Sequence, residues 1–368
     1  MVRAERTLLI ILVVCLSLVS LVFGAESVDS NEVTASVSIT FLDIDAGKAA
    51  IMDRSLDSYF GQLQPMEMSA KTGSAITGQT LDQQRKQCRQ RYVSAVRQFS
   101  DDEKEAIRDC VEKLVPVLGE QYPRFAKLPW SFLKVSGKIE SGLTHTHDRH
   151  IILSEGTCRR LATRYKSAPE RTISSFVGLL IHEQMHVFQR ANPRMLESLY
   201  TEIWGFIKAE EIASCPWLDK HHLVNPDGSD CCWVFPIGQG EETSYILPLV
   251  VFAEGEGLKQ MPRDFRMIAV DLVKADGHFR PVVGEAGKPT YRNLRDVREY
   301  RKVLASTGNI YHPNEACASV FATLVMADFL SRDGKMSQAV RARSGRIPRE
   351  LREWFSKNLA ATPVRSSL

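Results

Sequence analysis

The chain has 368 residues, 44% of them hydrophobic and 25% charged. This is an ordinary globular composition with room for a large core. Its 47 Lys and Arg against 44 Asp and Glu leave a net charge of +3 with no dense basic block, which argues against a nucleic-acid binder held by electrostatics.

The first residues, MVRAERTLLIILVVCLSLVSLVFGAES, set Arg3 and Arg6 before an apolar stretch from Leu8 to Phe23, with Gly24 and Ala25 after it. This is the pattern of a signal peptide over 1–24 and predicts a secreted or periplasmic protein. An uncleaved anchor is the alternative, and would be the chain's one attachment to a membrane. The stretch is short of the ~20 apolar residues of a spanning helix. Residues 25–80 are rich in Ser, Thr, Asp and Gly with weak periodicity. They read as a poorly ordered lead-in, with a strand at ASVSITFLDI, and 81–360 reads as one domain.

Gln84 to Gln98 and Asp101 to Val117 read as two helices. Ser100 and Glu103 form a capping box between them. A hairpin of the two would bring Cys88 level with Cys110, so an exported chain could form a disulfide there. Reduced core thiols fit equally. Cys215 with Cys231 or Cys232 is a second candidate pair. No two cysteines have CxxC spacing, so a cysteine zinc site has no support.

Trp130 to Ile139 and His150 to Leu153 have strand composition. His145 and His147 alternate to one face just before the second. A polar turn entering a strand accounts for them more simply than a metal. SAPERTISSFVGLLIHEQMHVFQRANP reads as one helix, with Ser167 and Glu170 as a capping box, Pro169 in the first turn and Asn192-Pro193 at its end. RMLESLYTEIWGFIKAEEI reads as a second helix. A turn-rich loop follows, then a strand at TSYILPLVVFAEG and a mixed segment to about Tyr291. NLRDVREYRKVLAST, HPNEACASVFATLVMADFLSRDG and IPRELREWFSKNLA are helical. Long helices with few short strands predict an α+β fold, mainly helical, with a small sheet beside the helix that carries the chemistry.

That chemistry lies in LLIHEQMHVFQ. On a helix His182 and His186 stand one turn apart on the same face, with Glu183 beside the first. HExxH on a helix is the minimal zinc-hydrolase unit. Imidazole nitrogens suit Zn²⁺, and a catalytic site takes three protein ligands. The flanks Phe176, Val177, Leu179 to Ile181, Val187 and Phe188 are apolar. Two His and a Glu buried there unpaired would be costly. The expected reaction is peptide-bond hydrolysis by zinc-activated water with Glu183 as general base.

The third ligand sets the subclass. The metzincin pattern needs Gly at 189 and His at 192, where this chain has Gln189 and Asn192. A Glu on a later helix remains, either Glu210 or Glu211 in IKAEEI or Glu315 in YHPNEACASVF. Glu315 opens an apolar helix and is preferred. Asn314-Glu315 is similar to the Asn-Glu pair of thermolysin-type enzymes, where an Asp four residues on supports a histidine. Ser319 stands in that place. Tyr311 is the leading candidate donor to the reaction's oxyanion, with His312 and Tyr200 behind it.

LLIHEQMHVFQRANPRMLESLYTEIWGF, then NPDG, then YHPNEACASVFATL resembles a group of bacterial exported metallopeptidases of the gluzincin kind. The resemblance spans roughly Gly142 to Leu330 and is patchy in the insert between the motifs. It implies a zincin-like domain with zinc on His182, His186 and Glu315, Glu183 as base, and a strand around His145 to Leu153 that pairs with substrate backbone. The expected partner is a peptide or protein substrate. The competing readings are a catalytically inactive zinc-binding interaction protein, and an amidase acting on cell-wall crosslinks.

Overall fold

The computed structural model describes residues 37–228, 232–332 and 334–360. The expected signal peptide and Cys231 lie outside the described residues. Strand β1 (Ile39–Phe41) leads into α1 (Ile44–Met52), α2 (Asp57–Gln62), α3 (Pro65–Thr72) and α4 (Leu81–Ser94). Next come β2 (Val96–Arg97), α5 (Asp101–Gln121), α6 (Pro123–Ala126) and β3 (Trp130–Val135). The Ser100–Glu103 capping box is formed in both directions at the start of α5. Strands β4 (His145–His147) and β5 (His150–Ser154) precede α7 (Glu155–Ser167) and α8 (Pro169–Ala191).

The first sheet has the order β1-β3-β5-β4, with β2 joined to β3. Strand β3 runs parallel to β1 and β5, and β4 closes the edge antiparallel to β5. Every residue of β3 and β5 is buried, as a sheet covered on both faces requires. Phe132, Ile151 and Leu153 enter a core shared with α5, α7, α8 and the late helices. The alternate residues Leu133, Val135 and Ile152 enter a second core with Ile51, Tyr59, Phe60, Leu63 and Met68. The segment from residue 37 to 80, read from sequence as a poorly ordered lead-in, therefore covers the second face of this sheet. Its helices are too short, and too interrupted by polar residues, for a periodic signal.

The same layering separates the cysteines. Cys88 lies in the second core and Cys110 in the first, and both are free thiols. Cys215 is also a free thiol. The hairpin expectation fails because β2 intervenes and sends α4 and α5 into different cores.

Helix α8 starts at Ala168 with no side-chain cap and Pro169 in its first turn. Ser167 ends α7 instead, bonding Arg164 O, while Glu170 pairs with Lys113 and Lys335, so no capping box forms there. Helix α9 (Pro193–Ser198) passes into one π-helical turn, Leu199–Ile203. The chain leaves the helix at Gly205, whose φ of +73° suits glycine. The long second helix expected here is thus cut short, and Glu210 and Glu211 are exposed outside it.

Strand β6 (Ile207–Lys208), α10 (Pro216–His221), β7 (Trp233–Ile237), β8 (Ser244–Phe252), β9 (Phe265–Ala275), β10 (His278–Pro281) and β11 (Tyr291–Asn293) follow. They build an antiparallel sheet of order β10-β9-β8-β7-β6 with β11 on β9. The mixed segment of the sequence reading is thus mostly sheet. Leu247, Leu249, Val251, Ile268, Val270 and Leu272 give this sheet its own core. The chain ends with α11 (Arg298–Val303), α12 (Pro313–Arg332), α13 (Gln338–Gly345) and α14 (Arg349–Leu359). The fold is α+β, as the helix and strand pattern predicts.

Candidate metal centre

Helices α8 and α12 pack against each other, with β4 and β5 beside α8. His182 and His186 sit on the facing turns of α8, and Glu315 lies in the first turn of α12. The two Nε2 atoms are 3.2 Å apart. Glu315 Oε2 lies 3.4 Å from His182 Nε2, and its Oε1 lies 3.5 Å from His186 Nε2. A tetrahedral ion with bonds of about 2.0–2.2 Å separates its ligand atoms by about 3.3–3.6 Å. The three side chains can therefore hold one ion, and they form the one such group among the described residues.

The neighbours orient the ligands. Gln189 Nε2 donates to Asn314 O at 2.9 Å, so its Oε1, 2.8 Å from His186 Nδ1, is the accepting end. His186 then carries its proton on Nδ1 and turns the Nε2 lone pair to the centre. His182 has weaker support. Its Nδ1 is 3.4 Å from Ser319 Oγ, itself held at 3.0 Å by Asn309 Nδ2. A carboxylate in that position would hold the ring more firmly.

The sequence reading assigned no role to Asn225 and Asp227. Asn225 Nδ2 donates to Glu315 Oε1 at 2.7 Å. Asn314 Nδ2 donates to Asp227 O at 3.1 Å, so the loop is tied to α12. Gly228 permits that approach, because a Cβ there would meet Asn314 Nδ2 at 2.2 Å. Asp227 Oδ1 accepts from the backbone and hydroxyl of Thr146 at 2.6 and 2.7 Å. Arg190, on α8, donates to Thr146 O and to Pro226 O. The backbone N–H and C=O of Thr146 on edge strand β4 are thus already taken by side chains. The only hint in the sequence was NPDG itself, a turn motif with no spacing relation to HExxH.

The charges explain the geometry. Burial would raise the Glu315 carboxyl, but the two imidazoles and Asn225 hold it well below its ordinary value. Burial opposes charge on His182, yet the bond to Glu315 and its charge lift that imidazole to about 9. Burial keeps His186 neutral, below its ordinary value. Glu183 is 3% exposed, and its Oε2 has no hydrogen-bond partner. Burial, with Asp227 nearby, pushes its carboxyl well above the usual range. Tyr311 is raised by burial and by the nearby charge of Glu315, so it stays a neutral donor.

The remaining candidates fall elsewhere. His312 bonds the Asn314 side chain. Tyr200 packs on Trp204 and Trp233. Glu210 and Glu211 are exposed and outside the group. His145 and His147 are buried in strand β4 rather than in a turn. His147 packs against the rings of Tyr59, Phe60 and Tyr92. A cleft of about 770 Å³ opens beside the centre, lined by His182, Glu183, Asn309 and Ser319 among others. That size suits a small ligand or a short peptide segment.

Compared with known proteins, the chain matches no protein-family model, no curated protein and no solved structure. The case for function rests on the chemistry of the site.

Proposed function

We propose that this protein is a zinc-dependent peptidase of the gluzincin kind. One observation carries the reading. Two imidazole nitrogens and the two oxygens of one carboxylate converge at 3.2–3.5 Å, beside the buried Glu183 carboxyl whose Oε2 has no hydrogen-bond partner. His182, His186 and Glu315 would hold the zinc, which supplies Lewis-acid polarisation of a carbonyl and a lowered water pKa. Glu183 faces the cleft beside His182 and takes the proton of the attacking water, then passes it to the leaving nitrogen. Tyr311 keeps its proton and is the neutral donor for the developing oxyanion.

The test is Glu183→Gln in the full chain. The variant is expected to retain its metal and lose about 10²–10⁴-fold in peptide hydrolysis. Hydrolysis at the wild-type rate would overturn the mechanism. The second reading is a zinc-binding interaction protein without turnover. It draws support from Thr146, whose backbone groups are occupied by Asp227 and Arg190. Metal-loaded wild type inert on both a broad peptide library and a peptidoglycan digest would favour it. Cleavage of the digest alone would favour an amidase of cell-wall crosslinks.

A further inference from the structure

The cleft that holds His182 and Glu183 is also lined by Arg301, Arg343 and Arg346. Arg301 comes from α11, Arg343 from α13 and Arg346 from the residue that caps α13. Two separate stretches of backbone, α11 and α13 with its cap, thus bring three arginines to the lining of one cleft. Glu183 is the one acidic side chain among the cleft's lining residues. Among the described residues, none of the three arginines is paired with a carboxylate. Arg301 goes further, because its Nη1 is buried and has no hydrogen-bond partner. A buried donor left open is costly, more so on a charged group. Elsewhere the chain meets the guanidinium of Arg190 with four hydrogen bonds and that of Arg91 with four. The unpartnered donor on this cleft-lining residue is therefore a departure from how the fold treats Arg190 and Arg91.

We propose that Arg301, with Arg343 and Arg346 lining the same cleft, receives a carboxylate of the substrate, so that the cleft selects peptides that place a carboxylate there. The guanidinium fork matches a carboxylate with two parallel N–H···O bonds. The proposal rests on the peptidase reading for the word substrate, and on the cleft alone for the anion. The carboxylate has two chemical sources, an acidic side chain near the scissile bond or the chain's own C-terminus.

The experiment uses full-length Glu183→Gln, so that binding is read without turnover. Calorimetric titrations compare acetyl-Glu-Glu-Glu-amide, acetyl-Ala-Ala-Ala with a free C-terminus, and acetyl-Ala-Ala-Ala-amide. At least one carboxylate-bearing probe is expected to bind about tenfold or more tighter than the neutral amide, and which one does identifies the source. Adding Arg301→Gln is expected to shrink that ratio to about twofold, and Arg301→Lys to restore part of it. Arg343→Ala with Arg346→Ala, both at exposed positions, keeps the test open if Arg301 variants fail to fold, and is expected to lower the ratio too. Equal binding of all three probes would overturn the proposal, as would inorganic phosphate binding tighter than either carboxylate probe. The two readings fail separately. Wild-type cleavage with no preference for either acidic peptides or peptides with a free C-terminus near the scissile bond would sink the carboxylate site alone. Carboxylate-dependent binding with no cleavage of any peptide would sink the peptidase reading alone.

Discussion

Lys71 and His186 are both fully buried beside carboxylates, yet their surroundings are built to opposite ends. Lys71 Nζ bonds Tyr59 at 2.9 Å, both oxygens of Glu140 at 3.1 and 3.2 Å, and Val224 O at 2.9 Å. Glu140 also accepts from the hydroxyls of Tyr59 and Tyr92. A cation, an anion and their hydrogen bonds close on one another, with Glu67 as a second carboxyl that faces Lys71 through Oε1 and leaves its Oε2 without a hydrogen-bond partner. Around His186, two imidazoles and a carboxylate turn acceptors toward one point, and Glu183 Oε2 meets nothing. In the metal-free protein a proton on His182 meets part of the Glu315 charge, and a metal ion held by the three side chains would take the place of that proton. The first arrangement holds the fold, and the second fits a metal. They also touch through the chain. Glu67 and Lys71 grip both backbone groups of Val224, and the next residue, Asn225, bonds Glu315. The structural cluster thus places the residue that steadies Glu315.

The sharpest way to break the contrast is Lys71→Met. It leaves Glu140 and Glu67 facing each other without their cation, and should lower stability by about 3–5 kcal/mol in urea titrations. A loss below about 1 kcal/mol would show that the cluster is not closed in the way described. A smaller effect is expected from Asn225→Ala. Removing a bond to a ligand weakens metal affinity about 10–100-fold, read by competition with a chelator, while stability of the metal-free protein stays near wild type. Unchanged affinity would detach the loop from the centre.

The smallest effect is a pH dependence. Burial pushes the Glu67 carboxyl from 4.5 up to about 8, against the pull of Lys71. An acid raised on folding contributes stability that is full below its unfolded value and is lost as pH climbs through its folded value. The shifts of Lys71, upward from 10.5, and Glu140, downward from 4.5, act outside that interval. Wild type should therefore lose more stability than Glu67→Gln between about pH 6.5 and 8, by about 2 kcal/mol. Parallel pH profiles of the two proteins would contradict this.

How much of this was legible follows from where each part is encoded. Helix α8 announces itself, because its proline start, apolar faces and i, i+4 histidines all lie within one continuous stretch. Helix α12 does so for the same reason, and Glu315 stands out as a carboxylate opening a buried helix. Asn225 and Asp227 do not, since a loop far from both helices in sequence reaches the site only by tertiary ties to Arg190, Asn314 and Val224. The helices from Ile44 to Thr72 were hidden by their brevity. Strand β9 was hidden because Arg266, Asp271 and Lys274 break up its apolar residues. The cysteine pairing misled because symmetry about a turn says nothing of which face of a sheet each helix will cover.

The central claim is that His182, His186 and Glu315 form one metal site. Elemental analysis with zinc titration of the metal-stripped full chain tests it directly, set against Glu315→Ala and His186→Ala. Wild type is predicted to bind one zinc per chain tightly, with both variants losing that site while keeping their folded circular-dichroism signature. Equal zinc binding by wild type and both folded variants, or no tight zinc in the wild type, would contradict the account.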